Sequence, residues 1–421
     1  VSTQVTSNSA TLDSSSANRR VGIQLPLGFA SGVPLLLTGS TLVAWLSDAD
    51  VSVETIGLFA LVGVPYTFKF LWAPLLDRFS VPLLGRRRGW IVLSQFLLFC
   101  AIAWMGLQDP KTGALHIAVA ALAVAFLSAT QDIVVDAYRT DALHGDERGR
   151  GSATYVIGYR IAMIVSGAGA LLLADHLSWR LVYFAMAALM LVGMVATWFA
   201  PAPAEMPPPQ NLYKAIVEPL KEFFWRRGAL FALAFVMLYK FGDALASNLT
   251  MKFLLDLEFS KTDVGLVQKF LGLGATIVGC SIGGYWADRI GLWKALLIFG
   301  AAQAVANAGY LALAVTGKSY PVLIAAIGID NICNGLGTAA FVAYVMSLCH
   351  RSFSATQYAL LTSAAALLGR TLGASAGYMQ RATGWAGFYA ITIAVAAPAL
   401  VMLLAMRRDI DARETDAAES C

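Results

Sequence analysis

The sequence predicts an all-α polytopic membrane protein with about twelve transmembrane helices in two pseudo-symmetric six-helix bundles. Three observations carry this. Hydrophobic residues make up 58% of the 421 and charged residues 13%, where a soluble domain carries about a quarter charged. Mean hydropathy is +0.67, and apolar runs of about 20 residues, each able to cross about 30 Å of hydrocarbon, recur along the chain. A single composition shift, from Pro201 to Arg227, divides those runs six and six.

Residues 1–20 are rich in Ser, Thr, Ala and Asn and end at Arg19-Arg20. They are too polar for the apolar core of a signal peptide, so a disordered cytosolic tail is expected. The N-terminal bundle is placed at 21–200, with spans near 26–46, 55–76, 89–107, 115–139, 151–174 and 179–200. The cytosolic linker, 201–227, carries Pro201, Pro203, Pro207, Pro208 and Pro209, then an amphipathic piece with Lys214, Lys221, Arg226 and Arg227. The C-terminal bundle occupies 228–408, with spans near 229–255, 263–286, 292–315, 321–349, 354–379 and 384–406, and 409–421 forms a second cytosolic tail.

Lys and Arg set the orientation, because cytosolic loops collect them. With the N-terminus inside, nineteen of the thirty fall on the cytosolic side, five outside and six within spans, so both termini are expected in the cytosol. The net charge of +4 is spread by loop rather than pooled, which gives nucleic-acid binding no support. Cys100, Cys280, Cys333, Cys349 and Cys421 show neither metal-ligand spacing nor a disulfide framework, and His116, His144, His176 and His350 lie near loops. No metal or cofactor is expected. No nucleophile–base set appears either, so an enzyme is not.

An internal repeat supports the halving. PLLDRFSVPLLGRRRGW, Pro74 to Trp90, matches GGYWADRIGLWKA, Gly283 to Ala295. Both put Asp-Arg at the cytosolic end of an even-numbered span, followed by Gly and more basic residues. Such a carboxylate can cap a neighbouring helix N-terminus. The arrangement resembles the loop signature of the major facilitator superfamily, where it latches the cytosolic side. Asp77, Arg78, Arg86, Arg87, Asp288 and Arg289 are the candidate latch; the alternative is charge that only sets topology.

Charges inside apolar stretches are the strongest functional signal, because burying one in lipid costs at least about 2.5–3.5 kcal/mol. Asp132 and Asp136 are i, i+4 on one face of the fourth span. At about 1.5 Å per residue, Asp132 and Lys69 both lie roughly 10 Å from the cytosolic face. Arg160 lies slightly deeper, and Asp136 is shallow enough to reach the headgroups. A mutually compensating cluster is expected there. In the second half, Asp243, Asp330, Lys269 and Arg370 fall roughly 9–14 Å from the outer face, with Lys240 nearest the midplane. The carboxylates Asp132, Asp136, Asp243 and Asp330 are candidates to carry protons, and Lys240, Lys269 and Arg370 to receive anionic groups. Lys240 and Asp243, i, i+3, can also be an internally neutralised structural pair. Gly28 and Gly32 in the first span, with Gly158, Gly167 and Gly169 in the fifth, suggest close or flexible packing.

Seven stretches together carry a more specific likeness: GFASGVPLLLTGSTLVAWL from Gly28, FKFLWAPLLDR with GRRRGW from Phe68, SATQDIVVDAYRTDAL with ERGRGSA from Ser128, LYKFGDALA from Leu238, KFLGLGATIVG from Lys269, LLIFGAAQAVANAGY from Leu296 and SFSATQYALLTSAAALLGR from Ser352. From about Leu27 to Arg407 the chain resembles the AmpG-type anhydromuropeptide permeases of Gram-negative inner membranes, within the major facilitator superfamily. Some relatives have further C-terminal hydrophobic segments; here a short acidic tail follows Arg407-Arg408.

The resemblance implies a proton-driven importer of N-acetylglucosaminyl-1,6-anhydro-N-acetylmuramyl peptides released by cell-wall turnover; a monomer is expected. It also implies a link to β-lactamase induction. The residues make that cargo chemically sensible. Gln131, Tyr155, Tyr159, Tyr239, Asn307, Asn331, Asn334 and Tyr344 offer partners for a sugar, and Lys69, Arg160, Lys240, Lys269 and Arg370 for its carboxylates. Thr-Gln-Asp-Ile-x-Val-Asp also resembles acetyl-coenzyme A transporters, so another anionic cargo is the alternative. A non-transporting membrane sensor is the alternative of a different class.

Overall fold

Long uninterrupted apolar stretches leave the backbone one way to satisfy its own polar groups in lipid, the α-helix. A computed structural model describes residues 16–82, 84–110, 113–203, 208–226, 228–260, 267–373 and 375–419. Among them every regular element is helical. Nine helices there are long and apolar enough to cross a membrane. Arg86–Gly106, Ala114–Ala142, Leu292–Thr316 and Tyr320–Leu348 run without a break, and the one proline among them is Pro321 near an N-terminus.

Other spans are broken, each for a legible reason. The stretch expected as one span near 55–76 runs as Val53–Leu58, a tight turn Phe59–Gly63, Val64–Phe68, a second tight turn Lys69–Leu71, and Ala73–Arg78. Pro65 and Pro74 each remove an N–H and clash with the preceding turn. The seventh span stops at Tyr239 and restarts at Phe241, with Lys240 between the pieces. Two intramembrane lysines, Lys69 and Lys240, therefore stand at helix breaks. Single wide turns interrupt the fifth span at Val165–Gly169 and the eighth at Val267–Gly272. The helix Ala376–Ala405 is kinked at Gly384, whose φ of 68° suits glycine.

One terminal expectation changes. Residues 1–15 lie outside the described set, but Ser16–Arg20 is helical rather than disordered and continues towards Asp48. Arg19 donates to the Phe199 carbonyl at 2.8 Å, which ties this turn to the end of the sixth span. The acidic tail is helical over Arg407–Glu419.

The chain forms two compact units. The first comprises Val1–Leu143, Thr154–Leu220 and Cys349–Ala359; the second comprises His144–Ala153, Lys221–Leu348 and Leu360–Cys421. Each thus contains the opening turns of a helix that continues in the other. Within the first unit, Arg86–Gly106 packs on Ala114–Ala142 and on the sixth span, around Leu98, Ile102, Val124, Tyr183 and Met186. Within the second, Leu292–Thr316 packs on Tyr320–Leu348 and Ala376–Ala405, the same order of partners. Glycine allows the closest approaches. A Cβ on Gly28 would sit 2.1 Å from the Tyr155 carbonyl oxygen, and one on Gly279 would sit 2.1 Å from that of Ile332.

Candidate functional site

Each unit buries a polar cluster along its apolar helices. In the first, Ala114–Ala142 supplies Asp132, Asp136 and Arg139 from successive turns of one face. Arg139 donates to Asp136 at 2.8 Å and to the Tyr358 hydroxyl at 2.7 Å, and its guanidinium lies 4.2 Å from the Tyr155 ring centroid. Lys69, freed at its helix break, approaches Asp136 at 3.7 Å. One oxygen of Asp132, Oδ1, is buried without a hydrogen-bond partner, and its charged neighbours are Lys69, Asp136 and Arg139. Arg160 touches Met163 Sδ at 3.7 Å, has a buried Nε without a partner, and makes no ion pair among the described residues. Lys69 and Arg139 match Asp132 and Asp136 in charge, so the cluster is balanced within itself.

The second cluster sets one cation, Lys240, against two carboxylates, Asp243 and Asp330. Asp243 pairs with Lys240 at 3.7 Å and accepts from Asn334. Gln303 donates to Asp243 and to Asp330, each at 3.2 Å, so one amide bridges the two carboxylates. Tyr310 donates to the other Asp330 oxygen at 3.1 Å. Asn307, 2% exposed, keeps a buried carbonyl oxygen without a partner. Asn331 accepts from Thr276 at 3.1 Å, joining the eighth and tenth spans. The side chains of Lys269 and Arg370 lie outside the described set.

Two carboxylates act as helix caps. Asp77, fully buried, accepts from the Thr356 N–H at 2.8 Å and its hydroxyl at 2.6 Å, at the N-terminus of Ser354–Gly373. Its other oxygen takes Arg87 at 2.8 Å, and Arg87 also reaches Asp141 at 2.7 Å and the Ser354 hydroxyl at 2.7 Å. Asp288 repeats the device, accepting from the N–H groups of Gly149 at 2.8 Å and Arg150 at 3.0 Å, where Arg148–Ile164 begins. A partial positive charge at each helix start favours these anions. Arg86 donates to the Asp77 carbonyl at 3.0 Å, whereas Arg78 and Arg289 lie over the rings of Phe79 and Tyr285.

Several positions differ from what depth and residue type suggest. Asp136 does not reach for headgroups: it is buried, because Arg139 and Lys69 neutralise it in place. Arg139, counted among the loop cations, is 1% exposed. Tyr344 packs edge-on against Phe235, and Tyr239 stacks on Phe341 with its hydroxyl bound to the Leu296 carbonyl, so both belong to aromatic packing rather than a polar lining. Gln131 is fully buried and donates to Ser31 at 3.3 Å; Tyr155 is the platform for Arg139, with Tyr159 beside it at 6.3 Å. Sequence reasoning overlooked Arg139, Asp141, Arg150, Gln303, Tyr310 and Tyr358. Gln303 was signalled by its place one turn before Asn307 in an apolar span.

Helices that are apolar outside and hide compensated charges within define a multi-pass membrane protein of the solute-carrying kind. The family model of the Major Facilitator Superfamily matches residues 25–377, and the chain belongs to that superfamily of transporters. It is 48% identical over 395 residues to the anhydromuropeptide permease of Escherichia coli strain K12, covering 93% of this chain and 80% of that one. A putative transporter AmpG 4 of Rickettsia felis is 33% identical over 396 residues, covering 91% and 96%. Among solved structures, the proton:xylose symporter XylE superposes with a TM-score of 0.67 at 10% identity, covering 93% of this chain and 94% of that one, which shows the shared fold.

Proposed function

We propose that the protein is a proton-driven symporter that imports N-acetylglucosaminyl-1,6-anhydro-N-acetylmuramyl peptides across the inner membrane of a Gram-negative bacterium. Twelve spans in two six-helix bundles, both termini in the cytosol and a monomer complete the reading. Its place is cell-wall recycling, and through the imported fragments β-lactamase induction. The 48% identical relative supports the cargo. The observation that carries the mechanism is the half-buried Asp132 carboxylate beside Lys69, Asp136 and Arg139, with one oxygen unpartnered.

Asp132 is the leading proton carrier, with Asp243 and Asp330 behind it. The buried Asp132 oxygen has no partner to offset desolvation, whereas Asp136 is bonded to Arg139 and paired with Lys69. Arg160, with a buried Nε lacking a partner and no ion pair among the described residues, receives a substrate carboxylate. The Asp77 and Asp288 caps form and break as a latch between the two access states. Proteoliposomes test the coupling. Labelled anhydromuropeptide should accumulate under an inward proton gradient, and unchanged uptake after the gradient is collapsed would sink the symport reading. Competition with unlabelled acetyl-coenzyme A separates the alternative cargo, and saturable binding without accumulation would mark a sensor.

A further inference from the structure

The linker helix Leu212–Phe224 presents three faces rather than two. At about 3.6 residues per turn, positions 215, 219 and 223 share one stripe. Ala215, Pro219 and Phe223 are buried there, and Gln357 donates to the Pro219 carbonyl at 3.1 Å. Beside that stripe runs a second apolar one, Leu212, Ile216, Leu220 and Phe224 with Tyr213 at its edge, and every member is exposed. The remaining face is polar: Lys214 pairs with Glu218 at 3.9 Å, and Lys221 makes no ion pair among the described residues. Tyr213 near the start is 70% exposed and Trp225 just past the end is 80% exposed.

A helix held only by its own protein needs one apolar stripe, and a second one in water would be a cost without return. We infer that Leu212–Phe224 lies in the plane of the membrane surface, with the second stripe seated among lipid headgroups and upper acyl carbons and Lys221 against anionic headgroups. Three features point to lipid rather than to a protein partner. The helix is tethered close to the bilayer: Trp225 to Gly228 spans four residues, on the order of 14 Å at full extension, before the seventh span starts at Ala229. Tyr and Trp at its two ends are the amphipathic rings that settle at headgroup level. An apolar stripe flanked by lysines is the pattern of an interfacial helix, which sinks about 5–10 Å into the headgroup boundary. The leaflet, cytosolic, rests on the orientation proposed above; the depth does not.

Quenching of site-attached fluorophores tests this on the full chain in vesicles of phosphatidylethanolamine and phosphatidylglycerol. Ile216→Cys, Leu220→Cys, Glu218→Cys and Lys221→Cys would be made one at a time, with the native cysteines replaced. Labels at 216 and 220 should be quenched several-fold more by brominated acyl chains than by aqueous iodide, and labels at 218 and 221 the reverse. Iodide quenching at 216 and 220 would show a stripe open to water, and quenching by neither would show a second copy or another protein covering it; either result overturns the inference. A parallel measurement needs no substitution: photoactivatable phosphatidylglycerol should label Tyr213, Ile216 and Leu220 in the unaltered protein. Adducts confined to the spans, with none in 212–225, would overturn it as well.

Discussion

The Asp77–Arg87–Asp141 cluster offers the sharpest quantitative test, because its charges do not balance. Arg87 is 3% exposed and stands between two buried carboxylates, 2.8 Å from Asp77 and 2.7 Å from Asp141. Arg87→Ala removes the only cation of the three and leaves both carboxylates buried, a loss of about 3–5 kcal/mol. Asp77→Ala is milder, since Arg87 and Asp141 remain as a neutral pair. What goes are charge-assisted hydrogen bonds from Arg87 and Thr356, partly offset by relief of the repulsion between Asp77 and Asp141, for a net of about 2–3 kcal/mol. Asp288→Ala should cost least, about 1–2 kcal/mol, because it loses a cap and a pair with Arg150, whose side chain is 41% exposed. The double variant Arg87→Ala/Asp141→Ala should be less damaging than Arg87→Ala alone, since one stranded charge has gone. Thermal unfolding in lipid nanodiscs, read by tryptophan fluorescence, ranks the four. A double variant as damaging as Arg87→Ala alone, or more so, would refute the charge argument, and so would Asp288→Ala as severe as Arg87→Ala.

Other expectations follow from single contacts. Gln303→Ala should loosen the Asp243–Asp330 bridge and lower gradient-driven uptake at least tenfold, about 1.4 kcal/mol, while Gln303→Met, matched in size but without the amide, should behave the same; normal uptake in both would make the bridge incidental. Gly279→Ala forces a methyl to 2.1 Å from the Ile332 carbonyl and should destabilise by about 1–3 kcal/mol in the same unfolding assay, and a neutral result would mean the eighth and tenth spans are not held that closely. Arg160→Gln should raise the KM for anhydromuropeptide with a smaller change in maximal rate, and an unchanged KM would remove Arg160 from substrate binding.

Much of this architecture is legible in residue order alone. Run length gives most spans, and the repeated Asp-Arg of Asp77 and Asp288 forecasts two caps on neighbouring helix starts, but the stretch near 55–76, expected as one span, is broken at Pro65 and Pro74. Burial of individual charges is less legible. Arg139 looks like a loop cation because it lies near the cytosolic end of its helix, yet Asp136, Tyr155 and Tyr358 enclose it, and two of those three come from other helices. Pattern cannot reveal partners more than two hundred positions apart, as Arg139 is from Tyr358 and Asp77 from Thr356. Aromatic residues pose the reverse problem: Tyr239 and Tyr344 have the right chemistry for a sugar, but their roles are fixed by whether Phe341 and Phe235 cover them. The break at Lys240 has no proline to announce it.

Asp132 is where the transport account stands or falls, and one measurement addresses it most directly. Labelled anhydromuropeptide uptake would be followed in proteoliposomes with and without an inward proton gradient, for the unaltered protein and for Asp132→Asn in parallel with an exchange assay at equal pH. The expected result is loss of gradient-driven accumulation in Asp132→Asn with substrate exchange retained, because the variant still moves between states but takes up no proton. Accumulation near that of the unaltered protein would contradict the account and leave Asp132 a structural group.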